Sequence, residues 1–234
     1  MTQQTSPSDL ARMFDAEVLI DDAPLARFNC APTDPLNVIL ERDDDRLVER
    51  HRWGLIPTWA KDRRSGARRI NARAETVADS PSFRAAFRKR RCIVPADGFY
   101  EWRMTDTVRQ PWHIRRRDSQ PMAMAGLWSV WRDAQNGVWM PSCSVITTTA
   151  VPRLAALHDR MPVLLEGDIW SAWLSADANP YDILAEVLAT PAADGLELWP
   201  VSRLVNDVRN EGPELIRPIV ADALDDGHAL RLAL

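Results

Sequence analysis

The stretch from Arg90 to Trp102, RRCIVPADGFYEW, leaves the chain little freedom of local structure. After two arginines comes an apolar run, Cys92-Ile93-Val94-Pro95, with the length and composition of a strand. Asp97-Gly98 supplies turn chemistry, because glycine reaches positive φ and aspartate bonds its own backbone. Phe99-Tyr100-Glu101-Trp102 then reads as a second strand. Period-2 alternation puts Phe99 and Glu101 on one face and Tyr100 and Trp102 on the other. A carboxylate among three aromatics has two readings. It is an edge-strand glutamate facing solvent, or a desolvated acid whose raised pKa suits proton transfer near neutral pH.

A chain of 234 residues accommodates one large domain with a sizeable core. No apolar run reaches the length of a membrane span, and no signal-peptide pattern opens the sequence. Cys30, Cys92 and Cys143 form no CxxC pair and have no histidine at metal spacing. That pattern points to a reducing, cytoplasmic setting and away from a zinc site. The net charge of −4 conceals an asymmetry: residues 51–117 carry 17 Lys+Arg against 6 Asp+Glu, while the rest carries 12 against 27. A concentrated basic segment in an acidic protein suits a polyanionic partner, and arginine, which dominates it, is the better fork for phosphate.

Ser6-Pro7-Ser8-Asp9 is a helix start with a capping serine, a first-turn proline and a capping-box aspartate. Leu36–Glu41 and Leu47–Leu55 read as a hairpin across Asp43-Asp44-Asp45. Further strands are expected at Trp112–Arg116, Met122–Trp128, Val138–Thr147, Val163–Leu165 and Leu196–Val201. Helices are expected from Ser80 to Arg88, Pro152 to Leu157, Asp168 to Leu174 and Tyr181 to Leu188. Strands and helices mix without βαβ alternation, so the class is α+β. The region from about Ile219 to Leu234 reads as an acidic tail.

There is no GxSxG, Walker A, HExxH or GxGxxG pattern, which removes support for the corresponding hydrolase, phosphate-loop, zincin and dinucleotide readings. His158, beside Asp159 and Arg160, is either a general acid/base or a satisfied structural histidine. Asn71 either orients a substrate or supports a turn. Cys92 and Cys143 sit in apolar strand patterns as inert core thiols, and Cys30, in a loop, is the one internal thiol with the setting of a nucleophile. Trp102, Trp112, Trp128, Trp131 and Trp199 fall in strands and belong to the core. Trp59, beside Pro57 and the basic loop, is either a base-stacking platform or core.

Taken in order, RFNCAPT (Arg27–Thr33), WGLIPTWA (Trp53–Ala60), INARAET (Ile70–Thr76), RCIVPADGFYEW (Arg91–Trp102), AGLW (Ala125–Trp128) and HDRMP (His158–Pro162), with the run Pro200–Glu214, resemble the SRAP family of abasic-site processing proteins. The resemblance covers roughly residues 5–218. It implies a single α+β domain, spanning residues 1–218, with a central bent mixed or antiparallel sheet flanked by short helices. It also implies an activity: an N-terminal cysteine, exposed by removal of the initiator Met, condenses with the ring-opened aldehyde of an abasic site in single-stranded DNA and closes a thiazolidine crosslink. By the same resemblance Asn71, Glu101 and His158 are the catalytic residues, and Asn29, Pro32, Trp59, Arg73, Thr147 and Arg160 contact DNA. No metal or organic cofactor, no membrane, a monomer, and a cytoplasmic location at the nucleoid complete the expectation.

One departure stands out. The family begins Met-Cys-Gly-Arg, whereas this chain begins Met1-Thr2-Gln3-Gln4, with no cysteine before Cys30. The helix signal at Ser6 suggests a start displaced by a few residues, with the Met-Cys upstream. The alternative is a crosslinking-deficient protein that binds single-stranded DNA without the covalent step. A thiol peptidase built on Cys30 and His158 is a third reading.

Overall fold

The computed structural model describes residues 1–20, 26–104 and 108–219. Helix α1 (Pro7–Phe14) starts as expected, with the Ser6 side chain accepting the Asp9 N–H. Strands β1 (Glu17–Val18), β2 (Pro35–Arg42), β3 (Asp45–Trp53) and β4 (Asn71–Arg73) follow, then α2 (Arg84–Lys89). The middle of the chain is strand: β5 (Arg91–Ala96), β6 (Phe99–Met104), β7 (Arg109–Arg116), β8 (Met122–Arg132) and β9 (Trp139–Thr149). Helix α3 (Pro152–Ala155), β10 (Arg160–Pro162), α4 (Ile169–Leu174), α5 (Pro180–Ala189) and β11 (Leu196–Pro200) complete it. The class is α+β, and no helix among the described residues is long and apolar enough to cross a membrane.

The larger sheet runs β1-β3-β2-β5-β8-β9-β10, and it closes on itself because β3 also pairs with β9 through Arg52↔Ser142 and Trp53↔Cys143. Alternation sorts the strand residues into two cores. Leu36, Val38, Leu40, Cys92, Val94, Met122, Met124, Cys143 and Val145 share one cluster inside the ring. Ile39, Val48, Ile93, Ala125, Leu127 and Ile146 form the other, outside it, covered by Leu10 and Phe14 of α1, Phe87 of α2 and Trp173 of α4. Burial on both faces is why Arg91–Ala96 is buried at every residue. Arg91 itself, 1% exposed, donates to the carbonyls of Phe87, Arg88, Trp173, Ser175 and Ala178, where α2 and α4 end. All but the Ala178 carbonyl, which precedes α5, lie at the negative end of a helix dipole, where a buried cation is least costly.

The Asp97-Gly98 turn does not make the hairpin that the sequence suggests. β5 pairs with β2 and β8, whereas β6 belongs to a separate three-stranded sheet, β11-β7-β6. Gly98 has no positive φ; it is required for space instead. A Cβ there would lie 2.2 Å from Nε2 of His113 and 3.0 Å from the Ile114 carbonyl oxygen. Asp97 is occupied by the N-terminal segment, accepting the backbone N–H groups of Gln4 and Thr5 and the Thr5 hydroxyl. Thr2 exchanges backbone hydrogen bonds with the corner, its N–H donating to Gly98 O at 2.8 Å while Asp97 N donates to Thr2 O at 3.0 Å. Gln3 donates to the carbonyls of Asn37 (3.0 Å) and Pro95 (2.6 Å) and accepts the Asn37 N–H at 2.9 Å, sewing β2 to β5.

Two smaller corrections concern boundaries. The helix expected from Ser80 begins at Arg84, the preceding residues forming turns closed on Ser80 O. The strand read at Val163–Leu165 starts earlier: Arg160–Pro162, inside the HDRMP motif, pair with Thr147–Thr149, and Leu164 follows as an isolated bridge to Met124. The acidic tail expected at 219–234 lies, but for Ile219, outside the described residues.

Gly98→Ala forces the methyl into a ring and a carbonyl that both belong to packed strands. We expect a loss of about 2 kcal/mol, read as a lowered urea midpoint at unchanged slope.

Candidate functional site

Glu101 sits on β6 opposite Trp112 of β7, half-buried, with no hydrogen-bond or ion-pair partner among the described residues. Burial raises its pKa; His158, Arg109 and the Met1 α-amine pull it back down, and Asp159 pushes with the burial. Burial wins. The carboxyl is therefore shifted toward neutrality, opposed most by the His158 imidazole and the Arg109 guanidinium. The Met1 amine is itself buried, donating to Cys30 O at 3.0 Å while Cys30 N returns a bond to Met1 O at 2.8 Å. Burial lowers its pKa, against opposing effects of Cys30, Glu101, Asp34 and Glu211.

His158 lies just beyond α3, half-exposed. Its Nδ1 accepts the Arg160 backbone N–H at 3.0 Å, so the neutral ring carries its proton on Nε2. Asp159 Oδ1 lies 3.2 Å from the same Nδ1 and becomes its partner when the ring is protonated. Nδ1 is thus committed to the Arg160 backbone, which leaves Nε2 as the ring's other hydrogen-bonding atom.

Asn71 and Arg73 are exposed on β4, two residues apart and so on the same face, paired in parallel with Val145 and Thr147 of β9. Arg160 approaches from β10, its Nη2 donating to Thr147 O at 2.6 Å. The two groups of residues share a floor: Ile70, before Asn71, and Leu157, before His158, pack against the cluster holding Met1, Cys30 and Phe99. The structure thus gathers Glu101, His158 and the α-amine into one electrostatic neighbourhood. It lines Asn71, Arg73, Thr147 and Arg160 along the adjoining β4–β9–β10 edge.

Other expected contacts are distributed unevenly. Pro32 is exposed at a loop tip held by Thr33, whose φ of 81° is a strained conformation for a β-branched residue. Trp59 is 61% exposed, with the Arg69 guanidinium 5.9 Å from its ring centroid, which favours the platform over the core. Thr147 is buried and offers its backbone carbonyl. Asn29 departs from expectation. It is 5% exposed, and its amide donates to the carbonyls of Val205, Asp207 and Asn210. Its Nδ2 clamps the loop at 205–210.

Cys30 is buried in the core cluster, and burial pushes its thiol up from the ordinary value. No hydrogen bond links it to a histidine among the described residues, so the Cys30–His158 peptidase lacks its dyad. Cys92 and Cys143 are fully buried thiols. Trp53 is buried, its Nε1 donating to Ile70 O at 2.9 Å.

Three residues escaped the sequence reading. Arg109 adds positive charge near Glu101 while stacking over Trp102, 5.3 Å from the ring centroid. Glu211 accepts from Arg27 Nε and from the backbone N–H groups of Phe28 and Asn29, fixing the segment that carries Cys30. Glu75 pairs with Arg160. Glu75 and Glu211 had a visible signal, lying in the INARAET run and in the run Pro200–Glu214, whereas Arg109 had none.

A family model described as SOS response associated peptidase (SRAP) matches residues 1–208. The chain is 40% identical over 190 residues to Abasic site processing protein YoqW of Bacillus subtilis (strain 168), covering 81% of this chain and 84% of that one. It is 31% identical over 212 residues to Abasic site processing protein YedK of Escherichia coli (strain K12), covering 90% and 92%. Among solved structures, a crystal structure of a protein from Bacteroides thetaiotaomicron superposes with a TM-score of 0.80 at 23% identity, covering 94% and 98% of the two chains.

A carboxyl whose folded-state pKa lies above its unfolded value of ~4.3 binds more protons in the folded state, so it costs stability as pH rises through that value. Glu101→Gln is therefore expected to be more stable than the parent at pH 7, the gain shrinking to nothing below about pH 4. Thermal melts of both proteins between pH 3.5 and 8 read this directly; a gain that is flat with pH would contradict it.

Proposed function

The chain belongs to the SOS response associated peptidase family, and from that premise we propose that it processes abasic sites in DNA, binding the lesion as single strand and capturing its aldehyde covalently. What carries this reading is a half-buried Glu101 with no side-chain partner among the described residues, its pKa raised by burial against the charges of His158 and Arg109. An abasic deoxyribose equilibrates between a closed ring and an open aldehyde. In this reading the imidazolium form of His158 gives its Nε2 proton to the ring oxygen as the C1–O bond breaks, while the C1 hydroxyl gives up its proton to water and becomes the aldehyde. Glu101 then accepts and returns protons as an amine attacks the aldehyde carbon and water leaves, giving an imine. An α-amine suits this step because its ordinary pKa is ~7.7–8.0, leaving a nucleophilic fraction at neutral pH.

When the attacking residue is an N-terminal cysteine, its thiol adds across the imine carbon and closes a thiazolidine. One C–N and one C–S bond replace the carbonyl, whose oxygen departs as water. Glu101 is suited to the preceding Met removal too, as the base that activates water. Asn71 orients the sugar; Arg73 and Arg160 hold flanking phosphates; Trp59 stacks an exposed base. The second reading is a non-covalent single-strand binder, which uses the same basic surface without the covalent step.

The decisive test places Met-Cys-Gly-Arg, the family's opening, ahead of residue 1 and incubates the protein with single-stranded DNA carrying one abasic site. A denaturant-resistant adduct is expected, formed roughly 10²-fold more slowly by Glu101→Gln or His158→Ala. No adduct, or one indifferent to both changes, defeats the assignment. Without the added residues, binding is expected to weaken with salt, and Arg73→Ala should reduce the log–log slope by about 0.7.

A further inference from the structure

We propose that Glu75 is a built-in stand-in for a DNA phosphate, occupying the guanidinium of Arg160 until a strand displaces it. The inference rests on the reading of Arg160 as a phosphate contact. In the free protein that contact is already taken. Arg160 Nη1 meets Glu75 Oε1 at 2.8 Å and Nη2 meets Oε2 at 2.9 Å, a bidentate pair. Nε of Arg160 is buried without a hydrogen-bond partner, so the Nη edge is the one it can offer. Glu75 covers that edge.

The geometry favours exchange over a permanent strut. The Arg160 side chain is only 19% exposed, whereas Glu75 is 47% exposed and has water to retreat into. Arg160 keeps its place without Glu75, because the Thr147 carbonyl holds Nη2 and the Arg160 backbone is paired in β10. Phosphate and carboxylate both accept a planar fork of two N–H bonds, so the swap leaves no buried charge unpaired. The Glu75 carboxyl is held below its ordinary range, chiefly by its hydrogen bonds to Arg160, with the charges of Arg160 and Arg73 adding. It therefore competes as an anion at neutral pH. Such a competitor sharpens selection: a strand that also engages Arg73 and the lesion site displaces it, whereas an isolated phosphate does not.

The test is equilibrium binding of a fluorescent single-stranded oligonucleotide carrying a tetrahydrofuran abasic analogue, titrated across a range of KCl. Glu75→Gln is expected to bind roughly fivefold tighter than the parent, with a salt slope steeper by about 0.7. The gain is expected to vanish when Arg160→Ala is added. Unchanged or weaker binding by Glu75→Gln would make Glu75 a strut and overturn the proposal. A gain that survives in the Arg160→Ala background would reduce it to a general charge effect, with the same consequence. A parent protein that binds no oligonucleotide at any salt overturns the functional reading and this inference together.

Discussion

The corner at Asp97-Gly98 is the constraint on which the arrangement depends. One carboxylate gathers three donors from the N-terminal segment, and one missing Cβ admits the His113 ring. The chain can then leave the closed ring of strands and enter a second sheet without a loop of its own. Glu101 lies four residues past Asp97 on the strand so launched, and the N-terminal end lies against the same corner. Had β5 and β6 formed a hairpin, Glu101 would have stood beside the core strands and not across from α3 and β10.

Charge is handled differently in the two halves of the molecule. Away from the cleft, ionised groups are matched: Arg91 takes five carbonyls, and Glu49 receives both Arg42 and His51. Around the cleft, the accounts are left open. Glu101 has no partner among the described residues, and the α-amine is buried against a single carbonyl oxygen. The His158 ring has one nitrogen committed and one free to donate. A polar group left without a full set of partners gains most by meeting a ligand.

Much of the fold was legible in local pattern. The Ser6 cap, the β2–β3 hairpin and the alternation that divides the two cores all follow from neighbours in sequence. The Asp97-Gly98 turn was not legible, because a glycine chosen for close approach is written with the same letter as one chosen for positive φ. Asn29 misled for a related reason: an exposed amide and one donating to three carbonyls look alike until residues 205–210 are folded against it. Glu75 showed its proximity to Arg73 but not its partner, since Arg160 is 85 positions away. Asn71, Glu101 and His158 stood out less by pattern than through the family resemblance, since each alone has an ordinary structural explanation.

The side chain of Gln3 has a further consequence. By reproducing two rungs of a ladder between β2 and β5, it fixes the N-terminal segment against sliding. Whatever is attached ahead of it is then delivered at a distance set by residue count, about 3.3 Å for each position, with successive side chains turned to opposite sides. The segment works as a measuring rod whose zero mark is a glutamine. A single inserted or deleted residue near its tip would leave the fold intact while presenting the wrong atoms to Glu101.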